Sequence, residues 1–130
     1  VDPRARLTFA LLVAAQAAHS VEEYIGRLYD VFPPARAASG LVSSNRRLGF
    51  EILNVALFAL GVACVTQVRR GRWAGAMWIW IAIETVNGVV HPLWSIVRGG
   101  YTPGVATAPI LLALAISLAA QLSTSASSPS

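Results

Sequence analysis

The chain has 130 residues, 55% of them apolar and 12% charged, with a net charge of +4. This length suits one domain, and a soluble domain usually carries about 25% charged residues. Every basic residue is an arginine, and the arginines gather at the ends of apolar blocks, a pattern of headgroup anchoring that makes nucleic-acid binding a poor reading of the charge.

The apolar residues form four blocks, each about long enough to cross a bilayer as a helix. The first is residues 7–26, preceded by Arg4 and Arg6 and able to continue helically to Tyr29. A signal peptide ending at "AQAAHS" is the competing reading of this block, but its cleavage would strand a His and two acids at a new terminus and leave an odd number of spans. The segment "RLYDVFPPARAASGLVSSNRR" follows, and Pro33 and Pro34 exclude one continuous helix through it. It is expected to fold over the end of the bundle or to lie along the interface. The second span is residues 48–68, the third 73–97 after "RRGR", and the fourth 102–122. Residues 124–130, "TSASSPS" by sequence, read as a disordered polar tail behind a membrane domain of residues 1–123. Cys64, the single cysteine, reads as a small core residue. Gly49, Gly61, Gly75 and Gly88 read as points of close helix packing. The expected fold is therefore all-α, a four-transmembrane-helix bundle, multi-pass in the cell membrane.

Orientation is balanced on the arginines. Arg4, Arg6, Arg69, Arg70 and Arg72 fall on one side, and Arg27, Arg36, Arg46, Arg47 and Arg98 on the other. The compact "RRGR" and the short basic N-terminus favour both termini inside.

Within these spans lie both histidines and four of the six acids. Each ionisable group at the bilayer centre costs roughly 2.5–3.5 kcal/mol, so their retention points to a function. Helical spacing groups them. His19, Glu22 and Glu23 share one face, with Gln16 a turn earlier, and Glu51 and Asn54 share another. Trp80, Glu84, Asn87, His91 and Trp94 form one stripe. At about 1.5 Å per residue, His19, Asn54 and His91 lie roughly 9–10 Å from the same boundary, Glu23 and Glu51 about 5 Å, and Glu84 about 20 Å. Pro92, following His91, removes the hydrogen bond to the Gly88 carbonyl and predicts a kink. Trp73, Trp94, Tyr24, Tyr29 and Tyr101 read as interfacial aromatics.

"HSVEE" at 19–23 matches the His-x-x-Glu-Glu motif for which a family of small integral-membrane proteins is named. "NGVVH" at 87–91 is similar to that family's Asn-x-x-x-His motif, and "YTPG" at 101–104 resembles its Tyr-x-Pro-Gly motif. The family's function is undefined. The resemblance implies that His19, Glu22, Glu23, Asn87 and His91 matter, without saying why.

Three function classes compete. The first is acid/base chemistry on a lipid-like or terpenoid substrate (isomerisation, cyclisation or epoxide opening). His19, Glu22, Glu23, Glu84 and His91 would then be catalytic. Asn54, Asn87 and Tyr101 would orient the substrate, and Trp80 and Trp94 could stabilise a cation through their ring faces. The second is a membrane-embedded metal enzyme. It would be either a di-iron type or a single zinc on His19, Glu23 and His91 with a coordination position open to water. The third is non-enzymatic: axial haem ligation by the histidines, a proton path, or a structural network in which Glu23–Arg27 and Arg47–Glu51 merely pair at helix ends. The first is preferred and favours no cofactor, with zinc or iron the candidates under the second. Expected partners are the lipid bilayer and an apolar small molecule, with homo-oligomerisation left open. Glu51 is the most doubtful site residue because Arg47 offers it a partner.

Overall fold

The computed structural model describes residues 1–127. It is all-helical, with no strand among the described residues. Four long helices, α1 (Pro3–Ile25), α4 (Arg46–Arg69), α5 (Ala76–Arg98) and α6 (Ala108–Ala126), pack together, and two short ones, α2 (Leu28–Val31) and α3 (Pro33–Val42), lie between α1 and α4 in the chain. By length and composition α4 and α6 are able to cross a membrane.

Local chemistry sets the ends of these helices. Asp2 caps α1 by accepting from the Arg4 amide at 2.8 Å, and Pro3 occupies the first turn, where no amide is needed. Past Gly26 the chain turns through Arg27, which has a left-handed backbone (φ 57°). The expectation of no single helix across Pro33 and Pro34 holds, but the prolines start α3 rather than merely interrupting the chain. Asn45 caps α4 through the Leu48 amide.

Three sequence boundaries move. The third span begins at Ala76, not 73, because Trp73 (φ 54°) lies in a turn. It continues through Pro92 to Arg98 without a break in the helix. The fourth begins at Ala108, not 102: residues 101–107 form turns, with Gly104 at φ 97°. It also runs further, so residues 124–126 of the expected tail are helical, while residues 128–130 lie outside the described residues.

The core sits among the four long helices. It is built on Phe9, Leu12, Cys64, Met77, Trp80, Leu111 and Leu118. Trp80 meets Phe9 edge-to-face, with ring centroids 6.3 Å apart. Small residues let the helices approach. A Cβ on Gly61 would lie 2.7 Å from Val13 Cγ1, and one on Gly88 2.6 Å from Leu112 Cβ. Gly49 abuts the Ser39 backbone of α3, whereas Gly75 faces open space and has no packing role.

Candidate metal centre

On α1, His19 and Glu23 are one helical turn apart and point the same way, towards His91 of α5. Glu23 Oε1 lies 3.0 Å from His19 Nε2 and 3.0 Å from His91 Nε2. The two Nε2 atoms are 3.3 Å apart. Exposures of 0% for His19, 3% for His91 and 7% for Glu23 put the cluster nearly out of solvent reach.

The far side of each ring fixes its tautomer. His91 Nδ1 is 2.9 Å from the Pro103 carbonyl oxygen, which can only accept, so Nδ1 carries the proton. His19 Nδ1 is 2.7 Å from Thr107 Oγ1. That hydroxyl donates its one proton to Glu22 Oε1 at 2.7 Å and therefore accepts from His19. In the neutral rings, both Nε2 atoms thus turn a lone pair towards each other and towards a carboxylate oxygen.

Glu22, predicted to be catalytic, faces the other way. Its carboxylate accepts from the backbone amides of Gly104, Ala106 and Thr107 and from the Tyr101 hydroxyl at 2.8 Å. It holds the 101–107 turn in place, and the amides it binds are among those α6 would need in order to start earlier. Tyr101, expected to orient substrate, is exposed and bound to Glu22. Its hydroxyl pKa is raised by donating to that carboxylate. Gly104 completes the wall: a Cβ there would lie 2.5 Å from His91 Nδ1 and 2.9 Å from His19 Cε1. Ser95 and Thr102 join hydroxyls beside this turn.

Glu84 is 0% exposed and forms a separate group. Its Oε2 accepts from Asn87 Nδ2 at 3.0 Å, and from the Gln16 amide at 2.7 Å in the orientation that points nitrogen, not oxygen, at the carboxylate. Asn54 bonds Ser20 Oγ at 2.7 Å and lies in a groove wall rather than in the cluster. Trp80 lines the same groove, whereas Trp94 packs on Phe32 with ring centroids 4.6 Å apart and tilted by 43°, and the Phe32 ring in turn lies 6.3 Å from that of His91. Glu51 has the partner anticipated for it, Arg47 at 3.4 Å, and a hydrogen bond from Tyr24 at 2.8 Å. The anticipated Glu23–Arg27 pair does not form: Arg27 pairs with Asp30 at 2.8 Å, leaving Glu23 to the histidines.

His19, Glu23 and His91 are therefore close enough to hold a metal ion. Ligands about 2.0–2.1 Å from a tetrahedral zinc lie about 3.3 Å from one another, close to the spacing seen. Sequence reasoning missed Thr107, which it placed inside a span, and the Pro103 carbonyl, for which no side-chain signal exists. The only hint was that "YTPG" precedes Thr107 closely.

A family model described as a protein of unknown function with an HXXEE motif matches residues 10–119, most of the chain. The chain belongs to the HXXEE family. Its motif letters are His19, Glu22 and Glu23, so two of the three face the buried cluster and the third holds the loop behind it. No curated protein and no solved structure matches this HXXEE chain.

Proposed function

We propose that this HXXEE protein is a four-span membrane enzyme that holds a zinc-type divalent cation on His19, Glu23 and His91 and acts on an apolar, membrane-dissolved substrate. The observation that carries the proposal is the convergence of two imidazole lone pairs and a carboxylate oxygen within 3.0–3.3 Å. In a nearly dry site, three acceptors so placed repel unless positive charge sits among them. A divalent cation supplies it, and His2Glu is a donor set that catalytic zinc sites use with a fourth position open. When bound, the cation would act as a Lewis acid on a water or on a substrate oxygen, which suits hydrolysis or epoxide opening.

The chain's own groups do the rest. Thr107 and the Pro103 carbonyl orient the rings. Ser20 and Tyr24, each one residue beyond a ligand in the chain, line a groove of about 370 Å³ that is the proposed substrate site; His19, Glu23 and His91 do not themselves line it. Four spans are supported by the length of α1 and α5, about 34 Å each at 1.5 Å per residue. They are also supported by the exposed Leu7, Leu11 and Val21 of α1 and Ile79, Ile83 and Val86 of α5. The polar groups that lower the hydropathy of α1 and α5 include His19, Glu23, Glu84 and His91, which are turned inward.

A second reading rests on Glu84. This buried carboxylate has neutral amides as its hydrogen-bond partners, an environment that suits a general acid in metal-free chemistry. The cluster would then be held together by protons in place of a cation.

Metal analysis with an optical spectrum of detergent-purified protein separates the two. The expected result is about one zinc per chain, lost in His19→Ala and His91→Ala and kept in Cys64→Ala. A protein that takes up neither zinc nor iron after growth and dialysis in excess metal rejects the cation and leaves the Glu84 reading. A haem spectrum rejects both.

A further inference from the structure

The groove between α1 and α4 has a direction. Val13, Val55, Leu57, Phe58 and Trp80 make its apolar walls, and Tyr24 and Glu51 stand at the end where α1 finishes and α4 begins. Tyr24 also lines a second hollow of about 770 Å³, which Arg27, Asp30, Asn45, Arg46 and Arg47 frame. An apolar slot and a polar mouth therefore share one wall, Tyr24.

That mouth is basic. Three guanidiniums and one carboxylate, Asp30, line it, and Glu51, at the adjoining end of the groove, pairs with Arg47 at 3.4 Å, so three positive charges face two negative ones. Asp30 binds Arg27 at 2.8 Å and Arg46 at 3.4 Å and so holds both guanidiniums at the rim with further N–H donors to spare. Arg47 lies over the Tyr24 ring, 5.3 Å from its centroid, and donates to its hydroxyl at 2.8 and 2.5 Å. The amino end of α4 starts here as well and adds its partial positive charge.

We propose that the two hollows form one binding site for an anionic amphiphile: an apolar body in the groove and a phosphate-type head on Arg46, Arg47 and Arg27. This deepens the reading above by naming the chemical class that enters the groove. It rests on that reading only in treating the occupant as substrate. A neutral hydrocarbon would leave the arginines unused, and a free anion would leave the groove unused.

The test is native mass spectrometry of the full chain in a neutral detergent, titrated with lysophosphatidate, lysophosphatidylcholine or inorganic phosphate. One lysophosphatidate per chain is expected, bound far more tightly than either of the others. The double variant Arg46→Gln/Arg47→Gln is expected to weaken it roughly fivefold for each arginine removed. Filling the groove by Ala17→Phe is expected to abolish binding. Val55→Trp, at an exposed position of the same wall, tests the groove without loading the core. Equal binding of both lipids, equal binding of phosphate alone, or undiminished binding in both groove variants overturns the proposal. Zinc content is measured on every sample, so a metal-free chain that still binds lysophosphatidate rejects the cation and not the groove.

Discussion

The Thr107 hydroxyl has one proton, and two neighbours decide where it goes. Glu22 Oε1 takes it at 2.7 Å, which leaves the oxygen lone pair for His19 Nδ1 at 2.7 Å. In its neutral form His19 then presents Nε2 as an acceptor. Removing such an outer partner of a metal-binding imidazole typically costs 10–100-fold in affinity. Thr107→Val is therefore expected to weaken zinc binding by about that factor, read by competition with a chromogenic chelator, and Thr107→Ser is expected to restore it. Unchanged zinc affinity in the valine variant would detach Thr107 from the centre. Gly104 answers to sterics rather than protons. Its φ of 97° disfavours any side chain, and a Cβ would press on both imidazoles. Gly104→Ala should lower stability by about 1–3 kcal/mol as an overpacked site does, seen as a lower thermal midpoint in detergent together with loss of bound metal.

Among the elements, the contrast between the two ends of the cluster shows what a sequence can and cannot convey. His19 and Glu23 lie on a regular helix, so their four-residue spacing alone predicts a common direction, and His91 falls on the stripe of α5 that faces them. Glu22, one residue from Glu23, was legible only as a second acid on the same face. Its true destination depends on residues 101–107 leaving the helix, and that rests on Gly104 and on backbone amides, which carry no side-chain pattern. The same holds for α3: Pro33 and Pro34 signal a break, but whether the next turns are loop or helix is decided by docking. That docking runs through Gly49, whose missing side chain lets the Ser39 carbonyl approach. Gly49→Val is expected to lift α3 from α4 at a cost of about 1–3 kcal/mol. The measurable outcome is faster protease cleavage within residues 33–42 with α4 and α5 still protected. A cleavage pattern like that of the parent would mean that α3 is held elsewhere.

For the molecule as a whole, the argument turns on how many helices cross the bilayer. Composition alone qualifies α4 and α6. The two counts make different maps. If only α4 and α6 cross, the α4–α5 turn and the α5–α6 segment share a side, because α5 does not pass between them. If all four long helices cross, those segments lie on opposite sides, and residues 26–45 join the α5–α6 segment. The proposal of four crossings rests on energetics. His19, Glu23, Glu84 and His91 are turned into the bundle, where partners offset the cost of roughly 2.5–3.5 kcal/mol that a charge meets at the bilayer centre, and the exposed faces of α1 and α5 are lined with Leu, Val and Ile. The sole native cysteine is buried, so a Cys64→Ala background is silent to thiol reagents and tolerant of single probes. In it, Arg72→Cys marks the α4–α5 turn, Gly100→Cys the α5–α6 segment and Arg36→Cys the α3 region; all three positions are exposed, and a side chain at Gly100 meets nothing within 4 Å. With a membrane-impermeant maleimide on intact cells and on inverted vesicles, Arg36→Cys and Gly100→Cys should label from one side and Arg72→Cys from the other. Labelling of Arg72→Cys and Gly100→Cys from the same side would remove α5 from the membrane-crossing set, and with it the shared intramembrane depth on which the proposed His–Glu–His centre inside the bundle depends.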